Sequence, residues 1–223
     1  MPPPCNVSSV AEVSVHPFTL VEGDLDATSV TAAAALSARA YANDPFFAYI
    51  FTNPRRRERS VALTHQSVFE LRAPRRCVVH ARDENGAVIG VAVWLRPGGF
   101  PLPPLSQLRQ IPLGLQALRG HRQTFRRGKS FQQHIVKLHP RTPHWYLWSL
   151  TVAPEWQHRG VGTALVRDGL HRADSEQVGV HLETQNPDNL HFYERFGFAH
   201  SHTIQPTPDS ASIYGMWRPA VTQ

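Results

Sequence analysis

The stretch Trp145–Thr184 constrains the fold more than any other part of the chain. Trp145 to Val152 is apolar on both faces of an extended chain, the pattern of a strand in the interior of a sheet covered on both sides. Pro154 stops that strand, a short loop follows, and the period turns helical from about Gly160 to Ala173. Gly179 to Thr184 then reads as a second strand. Such a strand–helix–strand unit needs a sheet with helices packed on it.

The surrounding elements agree with that layout. Phe18 to Val21 reads as a short strand, and Asp26 is an N-cap for the Ala-rich helix that follows, expected to end near Ala42 before Asn43-Asp44-Pro45. Asn53-Pro54 is a cap followed by proline at the first helical position, opening a helix to about Leu71. Cys77 to Arg82 and Ala87 to Leu95 flank Asn85-Gly86, the strongest short hairpin signal. Residues 97–143 are too long for an ordinary loop and are expected to hold one or two helices between Leu105 and Leu138. Past Thr184, Asn186-Pro187 caps another helix ending at Gly197. His200 to Gln205 and Ser212 to Trp217 are the last two strands. The order β-α-α-β-β-(insertion)-β-α-β-α-β-β predicts an α/β fold with one mixed sheet of six or seven strands between helices. At 223 residues the chain has the length of one domain. Residues 1–14 read as a flexible tail and 15–219 as the domain, with 97–143 a basic helical insertion.

Two segments carry chemistry. In Leu150-Thr151-Val152-Ala153-Pro154-Glu155-Trp156-Gln157-His158-Arg159-Gly160-Val161-Gly162-Thr163 a strand ends and a helix begins with two glycines spaced by one residue. The first helical amides have no intrahelical partners and lie at the positive end of the helix dipole. Glycines there let a phosphate approach the main chain, so the segment reads as a pyrophosphate cradle. It is not a P-loop, which needs a Lys-Ser/Thr pair, nor the dinucleotide fingerprint, whose third glycine would fall at Leu165. In the second segment, Leu182 to Phe198, another strand ends and a capped helix begins. Phe192 and Phe196 share its core face, and Tyr193 beside them can bring its hydroxyl to a cleft edge.

Taken together, V-x-P-x-x-Q-x-x-G-x-G followed about thirty residues on by N-x-x-F-Y-x-x-x-G-F resembles the GNAT N-acetyltransferase superfamily. Gln157, Arg159, Gly160 and Gly162 match its acetyl-CoA motif, and Asn189, Phe192, Tyr193, Gly197 and Phe198 its C-terminal motif. Leu182-Glu183-Thr184, the Asn189–Phe198 run and the long insertion look most like the puromycin N-acetyltransferase type, which does not imply puromycin as substrate. The resemblance implies the GNAT fold, with acetyl-CoA bound where two parallel central strands splay apart. By analogy Leu150, Thr151 and Val152 meet its pantetheine and thioester, the amides of His158, Arg159, Gly160, Val161, Gly162 and Thr163 its pyrophosphate, and Gln157 and Asn189 line the same cleft. It also implies direct attack by a neutral amine in a ternary complex, with the Val152 amide as oxyanion donor and Tyr193 as acid at the leaving thiolate. The general base stays open between Glu183, the histidines His139 and His144, and ordered water. Asp44, Phe46, Phe47 and Tyr49 are the candidates for the acceptor pocket, Asp44 holding a cationic amine over aromatic walls.

The leading expectation is acetyl transfer to a primary amine of a small molecule, an antibiotic or amino metabolite. The alternatives are a protein N-terminal or lysine acetyltransferase and a non-catalytic acyl-CoA sensor. Asn85 to Pro154 holds nine Lys or Arg and no Asp or Glu, so most of the net charge of +6 sits there. An anionic partner fits that segment, but no helix-turn-helix or RNP pattern supports a nucleic-acid partner. With Cys5 and Cys77 as the two cysteines there is no disulfide framework and no Cys-based zinc site. His191, His200 and His202 have no recognised ligand spacing, so no metal is expected. No apolar stretch of membrane-spanning length and no secretory leader is read, which makes a cytoplasmic monomer or homodimer the expectation.

Overall fold

The computed structural model describes residues 17–103 and 122–221. Its elements are β1 (Phe18–Glu22), α1 (Ala27–Ala40), α2 (Pro45–Ile50), α3 (Pro54–Glu70), β2 (Arg76–Asp83), β3 (Val88–Leu95), α4 (Arg122–Leu138), β4 (His144–Val152), α5 (Val161–Ser175), β5 (Gly179–Thr184), α6 (Asp188–Glu194), β6 (Ala199–Ile204) and β7 (Ile213–Arg218). A 3-10 turn at Pro154–Trp156 links β4 to α5.

Caps set the early helix starts. Asp26 accepts the Ser29 amide at 2.8 Å and Asn53 the Arg55 amide at 3.1 Å. The expected boundaries hold to within a few residues, with two differences. The Asn43-Asp44-Pro45 breaker also starts a new short helix, α2, because Asp44 caps it and Pro45 fits the first turn. Within the insertion α4 runs Arg122–Leu138; the expected helix positions before residue 122 and the expected tail lie outside the described residues.

All seven strands form one sheet in the order β1-β2-β3-β4-β5-β7-β6. β4 and β5 are its parallel pair, and every other pairing is antiparallel. One face packs on α5 through Ala92, Trp94, Trp145 and Leu147. The other packs on α1 and α3 through Val78, Val91 and Val93. α5 lies so close to β3 that a Cβ on Gly169 would fall 2.2 Å from the Trp94 ring.

Two irregularities in β4 shape the candidate site. Val93 pairs with Ser149 but Trp94 pairs with Leu147, so Trp148 is an extra residue bulged out of the β3–β4 ladder. Trp145 and Leu147 before the bulge, and Leu150 and Val152 after it, all contact the α5-side core, a parity that the extra residue permits. The β4–β5 ladder meanwhile stops at Leu147–Leu182, while β4 continues for five more residues to Val152. Beyond that point the two strands part.

Candidate active site

The gap exposes main chain on one edge of β4. Ala153 donates its amide to the Ile89 carbonyl at 2.8 Å, so by antiparallel alternation Ser149 and Thr151 also turn their main chain to β3. Leu150 and Val152 therefore turn theirs toward the gap. Their carbonyls already have local donors: the Tyr41 phenol on Leu150 at 2.6 Å and the Gln157 amide on Val152 at 3.3 Å. What β4 offers the gap is thus a pair of N–H donors two residues apart. Thr151 is turned away, its hydroxyl 3.4 Å from that of Ser37.

At the end of the gap stands the α5 N-terminus. Gly160 precedes it at φ +87°, a left-handed conformation that side chains disfavour, and no side chain caps the helix. The first intrahelical bond at this end runs from the Ala164 amide to the Gly160 carbonyl at 2.9 Å, leaving the Val161–Thr163 amides for an external acceptor. His158 is also left-handed, at φ +60°. Left-handed residues thus stand on both sides of exposed Arg159, directly before the uncapped amides of α5. The Arg159 guanidinium lies 5.6 Å from the Trp156 ring centre. Gly162 faces Val152 and Phe192, closing the first turn of α5 against the gap. Asn189 donates to the Thr184 hydroxyl at 3.2 Å and so orders the end of β5.

Tyr193 comes from the α5 side of the sheet. It is buried at 8% exposure and packs edge-on against Phe192 and Phe198. The turn after α6 is tied down by Arg218, whose Nε donates to the Phe196 carbonyl at 3.0 Å. Burial pushes the Tyr193 hydroxyl well above its usual value, and neighbouring Tyr41 adds to this. Tyr41 comes from the other face, and burial pushes it up to about 12. Two protonated phenols therefore converge at the parting of the strands. The bond of Tyr41 to the β4 main chain depends on α1 crossing the sheet and has no local signature in the sequence.

Glu183 lies on the opposite face of β5 from Leu182. Its Oε1 accepts from His181 Nε2 at 2.9 Å and lies 3.7 Å from His139 Nδ1. Burial alone would raise this carboxyl, but the contacts from His139 and His181 prevail and hold it near 2. The Tyr146 phenol is pushed far up by burial and by the Glu183 charge. His144 donates from Nδ1 to the Thr142 carbonyl at 2.6 Å, so its Nε2 accepts from His139 Nε2 at 3.0 Å. Mainly through burial, His144 is lowered to about 4 and stays neutral. His181 was not singled out from the sequence. The available signal was two polar residues, His181 and Glu183, alternating with Val180 and Leu182 in an interior strand. The three histidines considered from sequence do not assemble: His191 is exposed on α6, and His200 bonds Thr203.

The four acceptor-pocket candidates belong to the packing of α2. Asp44 Oδ1 caps that helix through the Phe46 and Phe47 amides at 2.9 and 3.2 Å. Phe46 and Tyr49 contact Phe131 of α4, Phe47 contacts Tyr41 and His65, and the Tyr49 hydroxyl bonds Thr207.

A mixed sheet that parts between its two parallel strands, beside an uncapped helix start, has the architecture of an acyl-coenzyme A N-acyltransferase. The model of the acetyltransferase (GNAT) family matches residues 39–198, and the chain belongs to that family. A structure from Corynebacterium glutamicum described as histone acetyltransferase HPA2 and related acetyltransferase is 22% identical, with a TM-score of 0.65 over 92% of this chain and 98% of that one. Arylalkylamine N-acetyltransferase 2 of Aedes aegypti is 11% identical, with a TM-score of 0.54 over 90% and 98%. A GCN5-related N-acetyltransferase of Kribbella flavida is 18% identical, with a TM-score of 0.53 over 90% and 97%. These identities show likeness of fold. The chain is also 26% identical over 132 residues, 56% of its length, to a "probable serine/threonine-protein kinase" of Dictyostelium discoideum, and the match spans 14% of that protein. Among the described residues no helix is long and apolar enough to cross a membrane.

Proposed function

We propose that the protein transfers acetyl from acetyl-CoA to a primary amine of a small molecule, by direct attack in a ternary complex. The observation that carries this reading is the gap: outward N–H donors on Leu150 and Val152, leading to uncapped amides at the start of α5. Pantetheine lies along the β4 edge, and the pyrophosphate rests on the amides of His158 to Thr163 with Arg159 beside it. Gln157 and Asn189 hold the two walls. The amine nitrogen attacks the thioester carbonyl carbon, a C–N bond forms, and the oxyanion is held by the Val152 amide. The C–S bond then breaks, and the thiolate takes the Tyr193 proton. The proton shed by the amine is taken by His139 Nδ1, which has no partner within hydrogen-bond distance, and the Glu183 carboxylate 3.7 Å away stabilises the imidazolium that forms.

The acceptor approaches from the α1–α2 side, where the half-buried edges of Phe46 and Tyr49 and the second carboxylate oxygen of Asp44 are the candidate wall. The puromycin-type features favour a small amine over a protein N-terminus or lysine, and a cytoplasmic setting suits acetyl-CoA supply. Thiol release from acetyl-CoA with a panel of small amines and peptides tests the assignment. Turnover with small amines is the expected result. Turnover with peptides alone would select a protein acetyltransferase, and tight acetyl-CoA binding without turnover would select a sensor.

A further inference from the structure

The group around Glu183 has a second chemical character. One ring nitrogen from each of His139 and His181 and a Glu183 carboxylate oxygen all lie within 4.8 Å of one another. Their side chains are 7%, 1% and 4% exposed, so each is more than nine-tenths buried. Each imidazole is held through its other nitrogen: His139 Nε2 donates to His144, and His181 Nδ1 donates to the Met216 carbonyl at 3.0 Å. Metal-ligating histidines are oriented in this way, with the second N–H given to an acceptor. His139 Nδ1 carries the free lone pair, and His181 Nε2 releases the proton it gives to Glu183 when a cation binds. Two buried atoms in the group, His139 Nδ1 and Glu183 Oε2, have no hydrogen-bond partner. His181 Nε2 to Glu183 is 2.9 Å and His139 Nδ1 to Glu183 is 3.7 Å. These bracket the separation of about 3.3 Å between ligand atoms that tetrahedral zinc bonds of about 2.05 Å require.

We propose that His139, His181 and Glu183 form a binding site for a divalent transition-metal cation of the zinc type, with His144 and the Met216 carbonyl as its orienting shell. Two imidazoles and one carboxylate suit zinc by donor type. They leave a fourth position open beside Tyr146, whose ring stacks on His181 at 5.8 Å between centres. A cavity of about 430 Å³ lies next to the group, lined among others by Phe100 and His144, both of which contact His139. The cation takes the lone pair of His139 assigned above to the amine's proton, so bound metal would block turnover. That consequence rests on the proposed function, whereas the binding site does not.

The test is therefore a binding measurement. Tag-free protein is stripped with a chelator and titrated with Zn²⁺ against a chromophoric competitor. One equivalent bound at micromolar affinity or tighter is expected, with Co²⁺ in place of zinc showing a visible absorption band of low-symmetry coordination. His139→Gln and His181→Gln should each weaken binding at least ten-fold. His144→Phe, which removes an orienting partner, should weaken it about 10- to 100-fold. His191→Gln, at an exposed histidine outside the group, should change nothing. If the variants do not fold, imidazole ¹⁵N shifts of the wild-type protein decide, since zinc must move His139 Nδ1 and His181 Nε2 together. Substoichiometric binding, or shifts confined to other histidines, overturns the proposal whether or not the protein acetylates amines.

Discussion

Tyr193 illustrates how burial suits an ordinary residue to the acid role proposed for it. Its ring packs edge-on against Phe192 and Phe198, and burial together with the neighbouring Tyr41 keeps the hydroxyl proton in place across the physiological range. Tyr193→Phe is expected to cut kcat by about ten-fold or more, within the span attributed to one general acid, with acetyl-CoA affinity unchanged in a direct binding titration. His65 shows the opposite consequence of burial. It sits stacked on Tyr41, bonded through Nδ1 to the Val61 carbonyl, and desolvation lowers it to about 4. Above about pH 6.5 the ring is neutral both folded and unfolded and has no effect on stability. As pH falls from 6.5 toward 4 the unfolded chain takes up a proton that the folded one refuses, and stability drops by on the order of 3 kcal/mol. Chemical denaturation across that range should show the decline in the wild type and a shallower one in His65→Phe.

Elements place these residues, and two glycines set how closely the elements meet. Gly169 seats α5 on Trp94. Gly169→Val would overpack that contact and is expected to cost at least about 1–3 kcal/mol in a denaturant midpoint. Gly160 sets the entry to α5 by its left-handed φ. Gly160→Ala, strained by about 1–2 kcal/mol, should raise the KM for acetyl-CoA about ten-fold and leave kcat nearly unchanged. The Gly160–Gly162 loop, the Tyr193 helix and the element order were legible in the sequence because each is a local signal of caps, glycines and periodicity. The Glu183 cluster was only half legible. His139 reaches it from the end of the insertion, and its distance along the chain from His181 conceals the contact. α2 was missed because a breaker followed by a cap residue and proline reads equally well as a stop or a start.

At the scale of the molecule, the sheet is continuous except where β4 outruns β5. That geometry predicts a pattern of amide exchange. Ser149 and Thr151, turned to β3, should be slow, while Leu150 and Val152, turned to the gap, should exchange faster. Saturating acetyl-CoA should slow the latter pair selectively, and an NMR exchange series on free and loaded protein reads this directly. Equal protection of all four amides without ligand would mean that the strands do not part in solution.

The parted strands have a consequence for how such a protein varies. A seam left open in a woven surface is mended by whatever thread has the right spacing, and a coenzyme arm with amides at strand-like intervals is such a thread. On the proposed reading, contacts made through the backbone do not depend on which apolar side chains stand at 150 and 152, so those positions can vary within what the core accepts while a coenzyme still fits. On that reading, selection on the acceptor acts on a different set of residues, across the sheet, and the two halves of the reaction diversify separately.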